Sequence, residues 1–236
     1  MHPKNVSRRQ LLAGVASMGA ASIAGLAFAT ERSRAFTETT QLQTGSIDGL
    51  LLDWREKYND TPLTDTTDGA ASPSPTGPAI SLGNVLPGDS GSLSVQLRLD
   101  TENEDADDVE VETELSFDLT GDLQSPGLQE FIHAAVWYDT GFLEVDAFGA
   151  RNAERDPGEQ LVHPDAEGTL EDVTTALSDG VALDTNPNAP TESTCLSGSD
   201  KVTVTFWWWF PTDQENINAV QGDTVEFDIR FDAEQC

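Results

Sequence analysis

The stretch Lys201-Val-Thr-Val-Thr-Phe-Trp-Trp-Trp-Phe210 is β-branched or aromatic almost throughout. That composition suits a pleated, largely buried surface and predicts a central strand. Further on, Asp223-Thr-Val-Glu-Phe-Asp-Ile-Arg-Phe231 alternates, with Val225, Phe227, Ile229 and Phe231 on one face and Thr224, Glu226, Asp228 and Arg230 on the other. One face meets a core and the other meets water. The connection, residues 211–222, is too long for a two-residue hairpin and begins with Pro211, which cannot donate to a ladder. A helical turn over residues 214–220, stopped by Gly222, fits it best. Two strands alone cannot bury this much apolar surface, so the rest of the chain must supply an opposing sheet.

Upstream, a first strand is expected from Ser46, through Ile47, Leu50, Leu51, Leu52 and Trp54, followed by a loop over residues 55–77 rich in Asp, Thr, Ser and Pro. Residues 79–91 read as a short strand and a Pro-Gly turn. Residues 92–99 read as an alternating strand with Leu93, Val95, Leu97 and Leu99 inward. Residues 100–108 carry six acids in nine positions and read as a loop. Alternation returns over residues 109–119, and further strands are expected at 133–139 and 142–146. Thr169 and Asp172 form a capping-box pattern that opens a short surface helix over residues 169–178. Short strands punctuated by turns make the chain all-β: an antiparallel β-sandwich of jelly-roll type with one or two short surface helices.

The N-terminus reads as an export address. Arg8 and Arg9 precede an uncharged, Ala/Gly-rich run over residues 11–29, the pattern of a twin-arginine signal. Ala27-Phe28-Ala29 offers a small-residue cleavage site. Retained, the segment would be an anchor and the chain's one membrane contact. Either way the domain is expected at the cell surface or outside the cell. The organisation is thus a signal at 1–29, a polar leader at 30–45 and one domain at 46–236.

The chain carries a formal charge of −30; loss of residues 1–29 removes Lys4, Arg8 and Arg9 and no acid, leaving −33. So much like charge repels itself in dilute buffer and is relieved where salt shortens the Debye length to about 3 Å, near 1 M, which reads as adaptation to high salt. Nucleic acid is not an expected partner, because counterion-release binding needs a basic face. Cys195 and Cys236, the two cysteines, are expected to pair as a disulfide in an exported chain. Asn59-Asp60-Thr61 is an acceptor sequon, which makes Asn59 a candidate glycosylation site.

Several of these pieces together resemble the TasA/camelysin family, in its versions from halophilic archaea. They are Thr44-Gly45-Ser46-Ile47-Asp48, the strand and turn Ile80-Ser-Leu-Gly-Asn-Val-Leu-Pro-Gly-Asp-Ser90, and Trp208-Trp-Phe-Pro-Thr-Asp213 with Asn216, Gln221-Gly-Asp223, Phe227 and Ala233-Glu-Gln-Cys236. The resemblance implies an exported jelly-roll subunit that polymerises into fibres, the leader of one subunit completing the sheet of the next. The candidate donor is residues 37–52, and the expected partners are further copies or other cell-surface components.

Camelysin-like members raise the alternative of a metal-dependent hydrolase. The histidines after the signal are His133 and His163; there is no His-Glu-x-x-His, and Glu130-Phe-Ile-His133 has only a helical i, i+3 spacing. No catalytic, cofactor or metal residue is assigned, and no cofactor is expected. The carboxylates of residues 100–108 could collect calcium, but they lack the glycine and ligand spacing of a dedicated calcium loop, which favours a solvated acidic surface. Trp207, Trp208 and Trp209 must point to alternate faces, part core and part surface. A third reading is therefore a monomeric glycan-binding adhesin that uses them.

Overall fold

A computed structural model describes residues 50–65, 80–99, 110–120, 123–140, 152–189, 193–198, 200–220 and 222–236. The strands are β1 (Leu50–Tyr58), β2 (Thr61–Asp65), β3 (Ile80–Gly83), β4 (Ser90–Leu99), β5 (Glu110–Thr120), β6 (His133–Tyr138), β7 (Glu167–Thr169), β8 (Val181–Ala182), β9 (Cys195–Ser197), β10 (Lys201–Trp209) and β11 (Thr224–Gln235). One helix, α1 (Leu170–Leu177), joins β7 to β8.

Among the described residues, one sheet runs β2-β1-β4-β10-β6-β7 and the other β3-β11-β5-β8, with β9 also paired to β5; every pairing is antiparallel. The chain passes repeatedly from one sheet to the other, the winding of a jelly roll. β10 is interior to its sheet, hydrogen-bonded to β4 and β6, as its β-branched and aromatic run requires. β11 lies in the facing sheet, so the two C-terminal strands are the two halves of a sandwich. Phe206 of β10 meets Phe227 of β11 edge-on at 5.2 Å, and Phe117 of β5 packs against both. Leu93, Val95, Leu97 and Leu99 of β4, and Val225, Phe227, Ile229 and Phe231 of β11, are buried in this core as the alternation predicts.

The connection between β10 and β11 holds a 3-10 turn at Ile217–Val220, and Gly222 follows at φ +93°. α1 is capped as expected: Thr169 Oγ1 accepts from the N–H of Asp172 at 3.1 Å, and Asp172 Oδ2 accepts from the N–H of Thr169 at 3.3 Å. It buries Leu170, Val173, Thr174 and Leu177. Gly180, at φ +85°, ends the turn after it, and a Cβ there would stand 2.1 Å from Glu114 Oε1. The side-chain space is already filled.

Several expectations change. The loop expected from residue 55 is instead the end of β1 and all of β2, joined by a turn at Asn59 and Asp60 with φ +45° and +62°. Asn and Asp tolerate that left-handed region, which two-residue hairpin turns need. Leu50 to Leu52, expected within a segment donated to a neighbour, pair with Leu99 to Leu97 of the same chain. Glu130 and His133 do not share a helix, because the 3-10 turn Leu128–Glu130 is capped by Phe131 and His133 opens β6. The expected strand at 142–146 and the acidic loop at 100–108 lie outside the described residues, as do residues 1–49.

Candidate functional site

The edge of the second sheet is the strongest candidate. The N–H of Cys236 donates to the carbonyl of Glu110 at 2.9 Å, and the register places Gln235 opposite Val111. Backbone groups of an antiparallel strand alternate sides, so even-numbered residues of β11 turn toward β5 and odd-numbered ones away. On the far side, β3 pairs only with Thr224 to Phe227. Ile229, Phe231, Ala233 and Gln235 therefore present N–H and C=O groups without a strand partner among the described residues. Continuing the β3 register would bring Pro78 opposite Ile229, and proline has no N–H to donate.

A second candidate lies on the outer face of the first sheet. Trp208 is fully buried inward, and Trp207 and Trp209 project outward, half-buried and stacked at 4.3 Å. His133 stands 5.3 Å from Trp209, and its Nε2 hydrogen-bonds Gln214 Nε2 at 3.0 Å. The register flanks Trp207 with Ser92 and Ala135, and Trp209 with Ser90 and His133. Ser90, Ser92 and Ala135 are small and leave the stacked indoles standing as a ridge, with His133 against its Trp209 end.

Beside the ridge the same face is polar and buried. Thr205 Oγ1 donates to Asp139 Oδ2 at 2.9 Å, so the 2.7 Å contact between Thr205 and Ser94 has Ser94 as donor. The N–H of Ala153 also donates to Asp139, at 3.1 Å, and Lys57 Nζ donates to the carbonyl of Asn152. The segment at 152–153 thus bonds at both flanks of the face, beside β6 and on β1. Burial of Thr205 and Asp139 makes these bonds structural ones.

The two histidines are differently placed. His133 lies on β6, and His163 sits before β7 with Nδ1 accepting from the N–H of Asp165 at 3.2 Å. Among the described residues no group of three or more His, Cys, Asp or Glu side chains is arranged to hold a metal ion. Cys195 and Cys236 are joined, with Cα atoms 6.3 Å apart, which ties β9 to the end of β11. Asn59 is exposed at the tip of the β1–β2 turn, where its Nδ2 donates to Asp89 Oδ1 at 3.0 Å and its Oδ1 accepts from the N–H of Ser90 at 2.9 Å. Arg8 and Arg9 lie outside the described residues. This edge was not visible in the sequence, because it depends on which strand lies beside β11.

The fold and these surfaces define an antiparallel β-sandwich closed by a disulfide, in which the β11 edge from Ile229 onward has no strand partner beyond β3 among the described residues. No family model, no curated protein and no solved structure matches the chain.

Proposed function

We propose that this is an exported structural protein of the cell surface or extracellular matrix, a subunit that joins further copies of itself by strand addition. The observation that carries the reading is the edge at Ile229, Phe231, Ala233 and Gln235, which has no strand partner among the described residues. An unpaired edge with regular donors and acceptors is the template on which an extended segment adds in trans. The segment best suited to add is residues 37–49, which contains no proline and so can donate at every position. Residues 50–52 are already used within their own chain.

Size by light scattering in molar salt tests this. A chain beginning at Thr30 is expected to form large assemblies, and one beginning at Gly45 to remain monomeric. A Gln235→Pro variant, which removes one edge donor without touching the β5 ladder, is expected to weaken assembly as well. Monomers from the longer chain under these conditions would remove the fibre reading.

A second reading, a glycan-binding surface protein, is favoured by the outward pair Trp207 and Trp209. Quenching or enhancement of tryptophan fluorescence by neutral oligosaccharides, lost in Trp207→Ala, would support it.

A further inference from the structure

We propose that the Cys195–Cys236 disulfide and dissolved salt are alternative clamps on one acidic sheet face, so that the end of β11, from Asp232 onward, is a strap released when both are withdrawn.

The register of β11 on β5 sets like charges directly opposite one another: Asp228 faces Asp118, Asp232 faces Glu114, and Glu234 faces Glu112. Each is a hydrogen-bonded pair by the alternation fixed at Cys236, so the Cα atoms stand about 5.5 Å apart. Like charges so placed are destabilising. The first pair is relieved by Arg230, which bonds Asp118 at 3.0 Å and Asp228 at 3.5 Å. Beyond Arg230 the relief stops. Glu112, Glu114, Asp232 and Glu234 are exposed, and among the described residues none has an ion-pair partner.

The same segment is weakly held by everything else. Phe231 is the last large side chain of β11 in the core, and past it only Ala233 is buried. On the side away from β5 no described strand covers it. Among the described residues, what remains is the ladder to residues 110–114, the repulsion across that ladder, and the disulfide. The disulfide acts beside the same acids: Cys195 lies opposite Glu112 on β9, and the N–H of Cys236 donates to the carbonyl of Glu110. Salt acts on the same groups. Charges facing at this distance interact freely when the Debye length is about 10 Å, at 0.1 M, and are screened when it is about 3 Å, at 1 M.

Hydrogen exchange of the whole protein in its unassembled fraction, separated by size so that no neighbouring copy covers the β11 edge, read by mass spectrometry on peptides spanning 229–236 and 201–209, tests this. Reduction is done in about 3 M KCl with a trialkylphosphine, which becomes its oxide as the sulfur–sulfur bond opens into two thiols, and part of the sample is then diluted to about 0.1 M. The oxidised protein is expected to keep protection over 229–236 in both salts. The reduced protein is expected to keep it at high salt and lose it roughly tenfold at low salt, with 201–209 unchanged. The reduced Glu112→Gln/Glu234→Gln variant is expected to lose less than about threefold at low salt. Three results would each overturn the proposal: full protection in the reduced protein at low salt, equal loss in both salts, or loss over 201–209 together with 229–236.

Discussion

Asp89 accepts from Tyr58 Oη at 2.8 Å, from Asn59 Nδ2 at 3.0 Å and from the N–H of Leu86 at 2.8 Å, with only 5 % of its surface exposed. It joins the β1–β2 turn to the Leu86-Pro-Gly-Asp89 turn, where Gly88 holds φ +93°. Asp89→Ala leaves three donors without their acceptor, and a charged acceptor is the stronger kind. A loss of about 3 kcal/mol is expected in urea unfolding at constant high salt. The sequence shows a Pro-Gly turn here but not its partner, because Tyr58 and Asn59 arrive from a strand pair 30 residues earlier. The tryptophan triplet was more legible. Alternation alone requires Trp208 to oppose its neighbours, and it is the buried one.

Among the elements, strands with strong alternation were readable, as was the short β3 before its Pro-Gly turn, and β2, β7 and β9 were not. β4, β5, β10 and β11 carry their own pattern. β7 and β9 have three residues each, and β2 holds Pro62 among Thr and Asp, so nothing local marks them as strands. They exist because a neighbouring strand offers a ladder. Helix α1 shows the opposite case, since its cap and its apolar positions are both local. Its exit depends on Gly180, where a left-handed φ coincides with the close approach of Glu114. Gly180→Ala is expected to lower stability by about 1–2 kcal/mol. The melting temperature read against wild type checks this, and an unchanged value would show that Glu114 moves aside freely and the turn relaxes.

For the whole molecule, charge decides the conditions of folding. A net charge of −30 spread over acidic strands makes the folded state self-repelling. The melting temperature is expected to rise by roughly 10 °C or more between 0.1 and 3 M KCl, with most of the rise complete near 1 M, where screening is already short-ranged. A rise that continued linearly instead would point to salting-out of apolar surface. The disulfide constrains a separation of 41 residues and contributes about 4 kcal/mol on the chain-entropy model.

The amino-acid order by itself determined the all-β class, the central place of β10, the inward faces of β4 and β11, the cap of α1 and the acidic character of the surface. Each follows from spacing or composition within a few residues. Tertiary structure alone decided that β10 and β11 belong to opposite sheets, that Glu56 is buried on the core side of β1, and that Ser94, Thr205 and Asp139 form one buried network. Those outcomes depend on which distant strand pairs with which and where each pairing ends, and a strand's own sequence fixes its faces but not its neighbours.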